Sequence, residues 1–201
     1  MAVPSRTSLL SSKTYEKAVL QSDDPINTFW DSVPKEYRNL MVNMEPKERM
    51  YFDYMVRQKN MPTNHALGML ANIKREVQSL NPKEPSGDDG GPGGLFQWKG
   101  ARQKNVETMV KDGNWRAQID YALIEPAEFT SSKKADGSGW IIRPGDYLRT
   151  EFKSPEEAEE WWRIRWERAS APSAEAEGKK HLKRYKKGGE IFRLDKPLGD
   201  Y

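Results

Sequence analysis

The stretch HALGMLANIKREVQSLNP, residues 65–82, decides the fold. Ala66, Met69, Leu70, Ile73, Val77 and Leu80 recur at steps of three and four, the spacing that lines one face of an α-helix. Pro62 bars continuation from the preceding segment, Thr63 or Asn64 is placed to cap the start, and Pro82 is expected to stop the helix. The stretch therefore reads as a buried central helix. Glu76 breaks its pattern. At ~100° per residue it falls about 60° from Ile73, on the border of the apolar stripe, and should be partly buried. Burial favours the neutral form of a carboxyl, the form a proton donor needs. Lys74 and Arg75 fall elsewhere on the helical wheel, so neither is expected to pair with it.

Working outward, residues 45–59 carry Met50, Phe52, Tyr54, Met55 and Val56 in a helical pattern. Residues 101–111 form a further helix ended by Gly113, and residues 115–124 another ended by Pro126. In SPEEAEEWWRIRWERASAP, Ser154 caps a helix, Pro155 takes its first position, and Glu156 and Glu157 suit its positive end. SAEAEGKKHLKRYKK, residues 173–187, reads as the last helix. The turn-rich stretch from Phe129 to Thr150 is either a hairpin or an irregular insertion, and a short helix is expected near residues 27–33. The class is mainly α (α+β), with a glycine-rich loop or small β-hairpin following the central helix. Residues 1–40 read as an N-terminal arm, 41–187 as one domain and 188–201 as a C-terminal tail.

Composition narrows the chemistry. The 201 residues are 36% hydrophobic and 31% charged, with seven Trp and eight Tyr, which suits a small aromatic-rich core carrying solvated extensions. The net charge is +3, and the basic excess collects in GKKHLKRYKK, residues 178–187. That run reads first as a solvated helix, and second as a docking surface for an anionic polymer. There is no cysteine, so disulfides, thiolate metal sites and cysteine nucleophiles are excluded. The two histidines, His65 and His181, lie far apart without a metal-ligand pattern, so no metal or cofactor is expected. No run approaches the ~20 apolar residues of a membrane span, and no h-region of a signal peptide is visible. The glycine-rich SGDDGGPGGLFQWKGARQ, residues 86–103, has no G-x-x-x-x-G-K-S/T sequence of a phosphate-binding loop. It passes instead into Leu95, Phe96, Gln97 and Trp98, an apolar run with an amide and a large aromatic suited to gripping a sugar ring.

Taken together, ALGMLANIKREVQSLNP and GGLFQWKGARQ resemble the phage tail lysozyme family, whose members are related to goose-type lysozymes and lytic transglycosylases. NWRAQIDYALIEP and SPEEAEEWWRIRWERASAP resemble two further segments of that family, in the same order, so the likeness runs from about residue 45 to 187. Val77 stands where the family usually has serine, and the spacing from Glu76 to Pro82 is one residue longer than in many relatives.

The resemblance implies a lysozyme-like domain in which Glu76 is the catalytic acid. It places Gln97 and Trp98 in the loop after that acid, and Gln118 and Tyr121 on a later helix that helps line the substrate groove. Asp89 and Asp88 are the candidates for a second carboxylate, with turn formation as their alternative role. The implied substrate is peptidoglycan, cleaved at the β-1,4 bond between N-acetylmuramic acid and N-acetylglucosamine. The implied setting is a phage virion, in its tail, with the terminal arms binding other virion proteins and the enzyme opening the bacterial wall during genome entry. A lysozyme-like virion protein without activity, and an endolysin acting at host lysis, are the alternatives. Nucleic acid is not an expected partner.

Overall fold

The computed structural model describes residues 41–87, 90–124, 145–166 and 172–186. The expected arm and its helix, the segment 125–144 and the tail lie outside the described residues, as do Asp88 and Asp89.

At the centre is α2, Thr63–Glu76, in which all but three of fourteen residues are buried. Fully burying one large aliphatic side chain contributes roughly 1.5–3 kcal/mol, and Leu67, Met69, Leu70 and Ile73 are all at 0% exposure. The ends of α2 differ from the sequence expectation. Pro62, not Thr63 or Asn64, is the N-cap residue and offers no side-chain cap. The Asn64 amide instead donates to the Phe152 carbonyl at 3.0 Å, a long-range contact that local sequence does not encode. The helix also stops at Glu76 rather than running to Pro82. Val77 is extended (φ −135°, ψ 89°), and Leu80 takes a left-handed conformation at φ 51°. That conformation costs a non-glycine residue about 1–2 kcal/mol. The fold holds it by burying Leu80 completely and by the Tyr51 hydroxyl, which donates to the Leu80 carbonyl at 3.0 Å.

Helix α1, Pro46–Asp53, supplies that hydroxyl. Glu45 and Glu48 close a reciprocal capping box at its start, with Pro46 in the first turn. It runs on through one wide π turn, Tyr54–Gln58, which buries Tyr54, Met55 and Val56. Helices α3, Ala101–Asp112, and α4, Trp115–Ile124, follow the loop, and Gly113 ends α3 in the left-handed conformation expected of it. A short helix α5, Asp146–Arg149, was not anticipated; it seats Tyr147 among Phe152, Trp161 and Trp162. Ser154 accepts from the Glu157 N–H at 3.3 Å and Pro155 opens α6, Pro155–Glu160, which continues as a π turn through Trp166.

Helix α6 packs closely on α2 because Gly68 leaves room for it: a Cβ there would lie 2.5 Å from the Ala158 Cβ and 2.7 Å from the Glu159 nitrogen. The last helix, α7, Pro172–Lys186, lies against α2 and α6 and buries His181, Leu182 and Tyr185, so the basic run is one face of an amphipathic helix. Among the described residues the only bridge of strand type is antiparallel, between Pro85 and Pro92. The architecture is mainly helical and consistent with a lysozyme-like fold.

Candidate active site

Glu76 is the last residue of α2, with 21% of its side chain exposed, and so meets solvent from the end of a rigid, buried helix. Arg75 pairs with it after all, Nη1 to Oε1 at 2.7 Å, while Nη2 donates to Oδ1 of the fully buried Asn72 at 2.9 Å. The wheel separates adjacent Cβ directions by ~100°, but an arginine is long enough to fold back across that angle.

The chain leaving α2 returns as a tight hairpin-like loop. Gly94 N–H donates to the Glu84 carbonyl at 2.7 Å, Ser86 N–H to Gly91 at 2.7 Å, and Gly90 N–H to Ser86 at 3.1 Å. Its glycines serve close packing. A Cβ on Gly93 would lie 2.7 Å from the Ser86 nitrogen, and one on Gly94, already at φ +58°, would lie 2.5 Å from Gln118 Oε1. A 3-10 turn, Gly94–Phe96, then sends Leu95 and Phe96 into the core against α2.

Each side chain expected to line the groove has a defined place. Gln97 is half-buried and left-handed at φ 47°; it accepts the Gly87 N–H at 3.2 Å and donates to the Gly94 carbonyl at 3.1 Å, bracing the loop from within. Gln118 is at 0% exposure and joins three segments. Its Oε1 accepts the Leu95 N–H at 2.9 Å, and its Nε2 donates to the Pro82 carbonyl at 2.9 Å and the Met109 carbonyl at 3.3 Å. Trp98, at 1% exposure, packs between Phe96 (tilted) and Tyr121 (edge-on), with ring centroids 5.0 and 6.2 Å away. Tyr121 is half-buried, and its hydroxyl accepts from the Asn105 amide at 3.1 Å near the surface. Trp98 and Gln118 are thus enclosed and shape the loop from beneath, while Tyr121 and Gln97 retain exposed surface.

A buried charge cluster beside Arg75 escaped the sequence reading. Glu159, 2% exposed, sits where Gly178 of α7 leaves room for it, and its Oε1 has no hydrogen-bond partner, with Arg163 Nε at 3.7 Å. Desolvation pushes its pKa up, opposed by the charges of Arg163 and Arg75 and reinforced by Glu160 and Glu175. The i,i+4 spacing of Glu159 and Arg163 was the one visible hint. His65, by contrast, is a core residue, its Nε2 2.8 Å from the Thr150 carbonyl. No group of three or more metal-ligating side chains occurs among the described residues.

The arrangement is a partly exposed carboxylate on the last residue of a buried helix, and a glycine-rich loop, braced by two amides, that follows in the chain and packs on the same helix through Gly94–Phe96. No curated protein and no solved structure matches the chain. A family model does: the description Phage tail lysozyme fits residues 47–194, well over half of the sequence and every helix from α2 to α7. The chain belongs to the phage tail lysozyme family.

Proposed function

We propose that the protein is a virion-associated enzyme that cleaves the β-1,4 bond between N-acetylmuramic acid and N-acetylglucosamine in peptidoglycan, with Glu76 as the proton donor. The observation that carries this reading is the position of Glu76. It is the carboxylate at the end of the most buried helix, partly open to solvent, and the chain leaves it into a loop held in shape by Gln97 and Gln118. Glu76 protonates the glycosidic oxygen as an oxocarbenium-like transition state forms. A carboxylate at Asp89 or Asp88 stabilises that cation or activates water, which gives hydrolysis; without one, the muramic acid C6 hydroxyl attacks and a 1,6-anhydro product forms. Tyr121 and Gln97 offer surface to the sugar, and Trp98 and Gln118 fix the loop behind them. Family membership supports a place in the phage tail and local opening of the wall during genome entry.

Zymography on purified peptidoglycan tests the assignment. Glu76→Gln should lower the rate by roughly 10²- to 10⁴-fold, the usual contribution of general acid–base catalysis. A variant that clears the substrate as fast as the parent would remove Glu76 from the mechanism. Mass spectrometry of the released muropeptides separates reducing-end from anhydro products.

A further inference from the structure

A concave site lies on the flank of α2 that carries Lys74. A cavity of about 550 Å³ is walled by the end of α2 and by α7, with Lys74, Gln78, Lys180, His181, Lys183 and Arg184 in its lining. That volume is in the range that holds a small-molecule or short peptide ligand. Glu45 and Glu177 complete the wall, so it carries both signs with cations in excess. Lys74 and Arg184 are committed to Glu45, at 2.8 and 3.1 Å, and Arg184 also pairs with buried Glu48. Lys180 and Lys183 are exposed and have no ion pair among the described residues.

The wall also holds an unfinished hydrogen bond. His181 is only 9% exposed, and its Nε2 is buried with no partner. Buried polar groups nearly always have one, so in the wall of a cavity this nitrogen can take a hydrogen bond from a ligand or a water.

The geometry points to a site for the peptide stem of peptidoglycan, with stem carboxylates held by Lys180 and Lys183 and the stem's amine by Glu177; this inference rests on the proposed substrate. The mixed signs suit a zwitterionic peptide better than a phosphate polymer, which would be repelled by Glu45 and Glu177. Reach is adequate. Gln78, in the cavity wall, is two residues beyond Glu76, so their Cα atoms lie within about 7 Å, and an extended four-residue stem spans roughly 13–14 Å. A stem hanging from a sugar held at Glu76 can therefore reach the cavity wall at Gln78. Stem binding would tie cleavage to glycan that still bears peptides.

The test uses the full chain and two synthetic tetrapeptides, L-Ala-γ-D-Glu-L-Lys-D-Ala and the same peptide with both carboxylates amidated, followed by NMR shift perturbation. The free acid should perturb α7 and bind at least about tenfold more tightly than the amide, as expected when charge pairs carry recognition. The surface variant K180E/K183E, its folding checked by thermal melting, should lose that preference. It should also cleave intact peptidoglycan about tenfold more slowly while keeping its rate on peptide-stripped glycan. Equal binding of acid and amide, no binding of either, or tighter binding of a single-stranded oligonucleotide would overturn the stem site, even for an enzyme that digests both substrates. A wild-type chain that digests neither substrate overturns the proposed function, whatever the peptides do.

Discussion

Replacing Gln118 by methionine removes one amide and little else. Methionine has the same unbranched length, so the core keeps its volume and its shape. What disappears is the acceptor for the buried Leu95 N–H and the donor for the Pro82 and Met109 carbonyls. A buried group left without its partner costs about 1–3 kcal/mol. Leu95 is wholly buried and takes about 2 kcal/mol of that, and the Pro82 carbonyl, half-buried, about 1. The Met109 carbonyl adds little, because Asn114 N–H still donates to it at 2.8 Å. The total is about 3 kcal/mol, a large fraction of a typical stability of 5–15 kcal/mol. With a urea dependence of about 2 kcal/mol per molar, the unfolding midpoint should fall by about 1.5 M. Hydrogen exchange should show the Leu95 amide losing protection ahead of the Leu70 and Ile73 amides of α2. A midpoint moved by less than about 0.3 M, or a Leu95 amide still as protected as those two, would refute the claim that this side chain binds the loop to the helices.

Gly94→Ala forces a Cβ against Gln118 Oε1 and the Val110 Cγ2, at a backbone angle that favours glycine, and should destabilise by about 3 kcal/mol in the same urea assay. Gly68→Ala drives α6 away from α2 and should cost about 2 kcal/mol, read as a lower melting temperature. For His181, burial first, then the charges of Arg184, Lys74 and Lys180 against Glu177, push the pKa from 6.5 down to about 4. The unfolded chain binds a proton in that window that the folded chain refuses, so stability is full above pH 6.5 and is lost as the pH falls toward 4. The loss is about 3 kcal/mol, and His181→Gln should flatten that part of the stability profile, measured by urea unfolding from pH 7 to 4. Identical pH slopes in parent and variant would contradict the buried neutral imidazole.

Features written in local sequence were legible and proved accurate: the apolar steps of α2, Ser154 with Pro155 at the start of α6, and Gly113 at the end of α3. Each depends on residues within a turn or two of one another. What was not legible depends on distant partners. Pro82 looked like the stop for α2, yet the helix ends at Glu76, and the path beyond it is tied at Leu80 to Tyr51 of α1, 29 residues away. Gln118 and Trp98 looked like surface for a sugar because polar and aromatic side chains do that work in grooves; nothing local says that the loop closes over both. Glu159 sits in a run of four glutamates, and only the packing of Gly68 and Gly178 around it makes that one the buried member.

The tie between Tyr51 and Leu80 bears on where this protein can be cut. The bend just beyond Glu76 has its own turn bond, Leu80 N–H to the Val77 carbonyl at 2.9 Å, but it also draws on α1: the Tyr51 hydroxyl donates to the Leu80 carbonyl, and the Ser79 carbonyl accepts from Lys47 at 3.2 Å. A fragment starting at the central helix would contain the acid, the glycine loop and the two bracing amides. It would still lack the donors that keep the exit of α2 turned. A minimal folded domain must begin no later than Met41, whose side chain is in the core with that of Met44, and a tag or fusion partner belongs ahead of that residue rather than between α1 and α2.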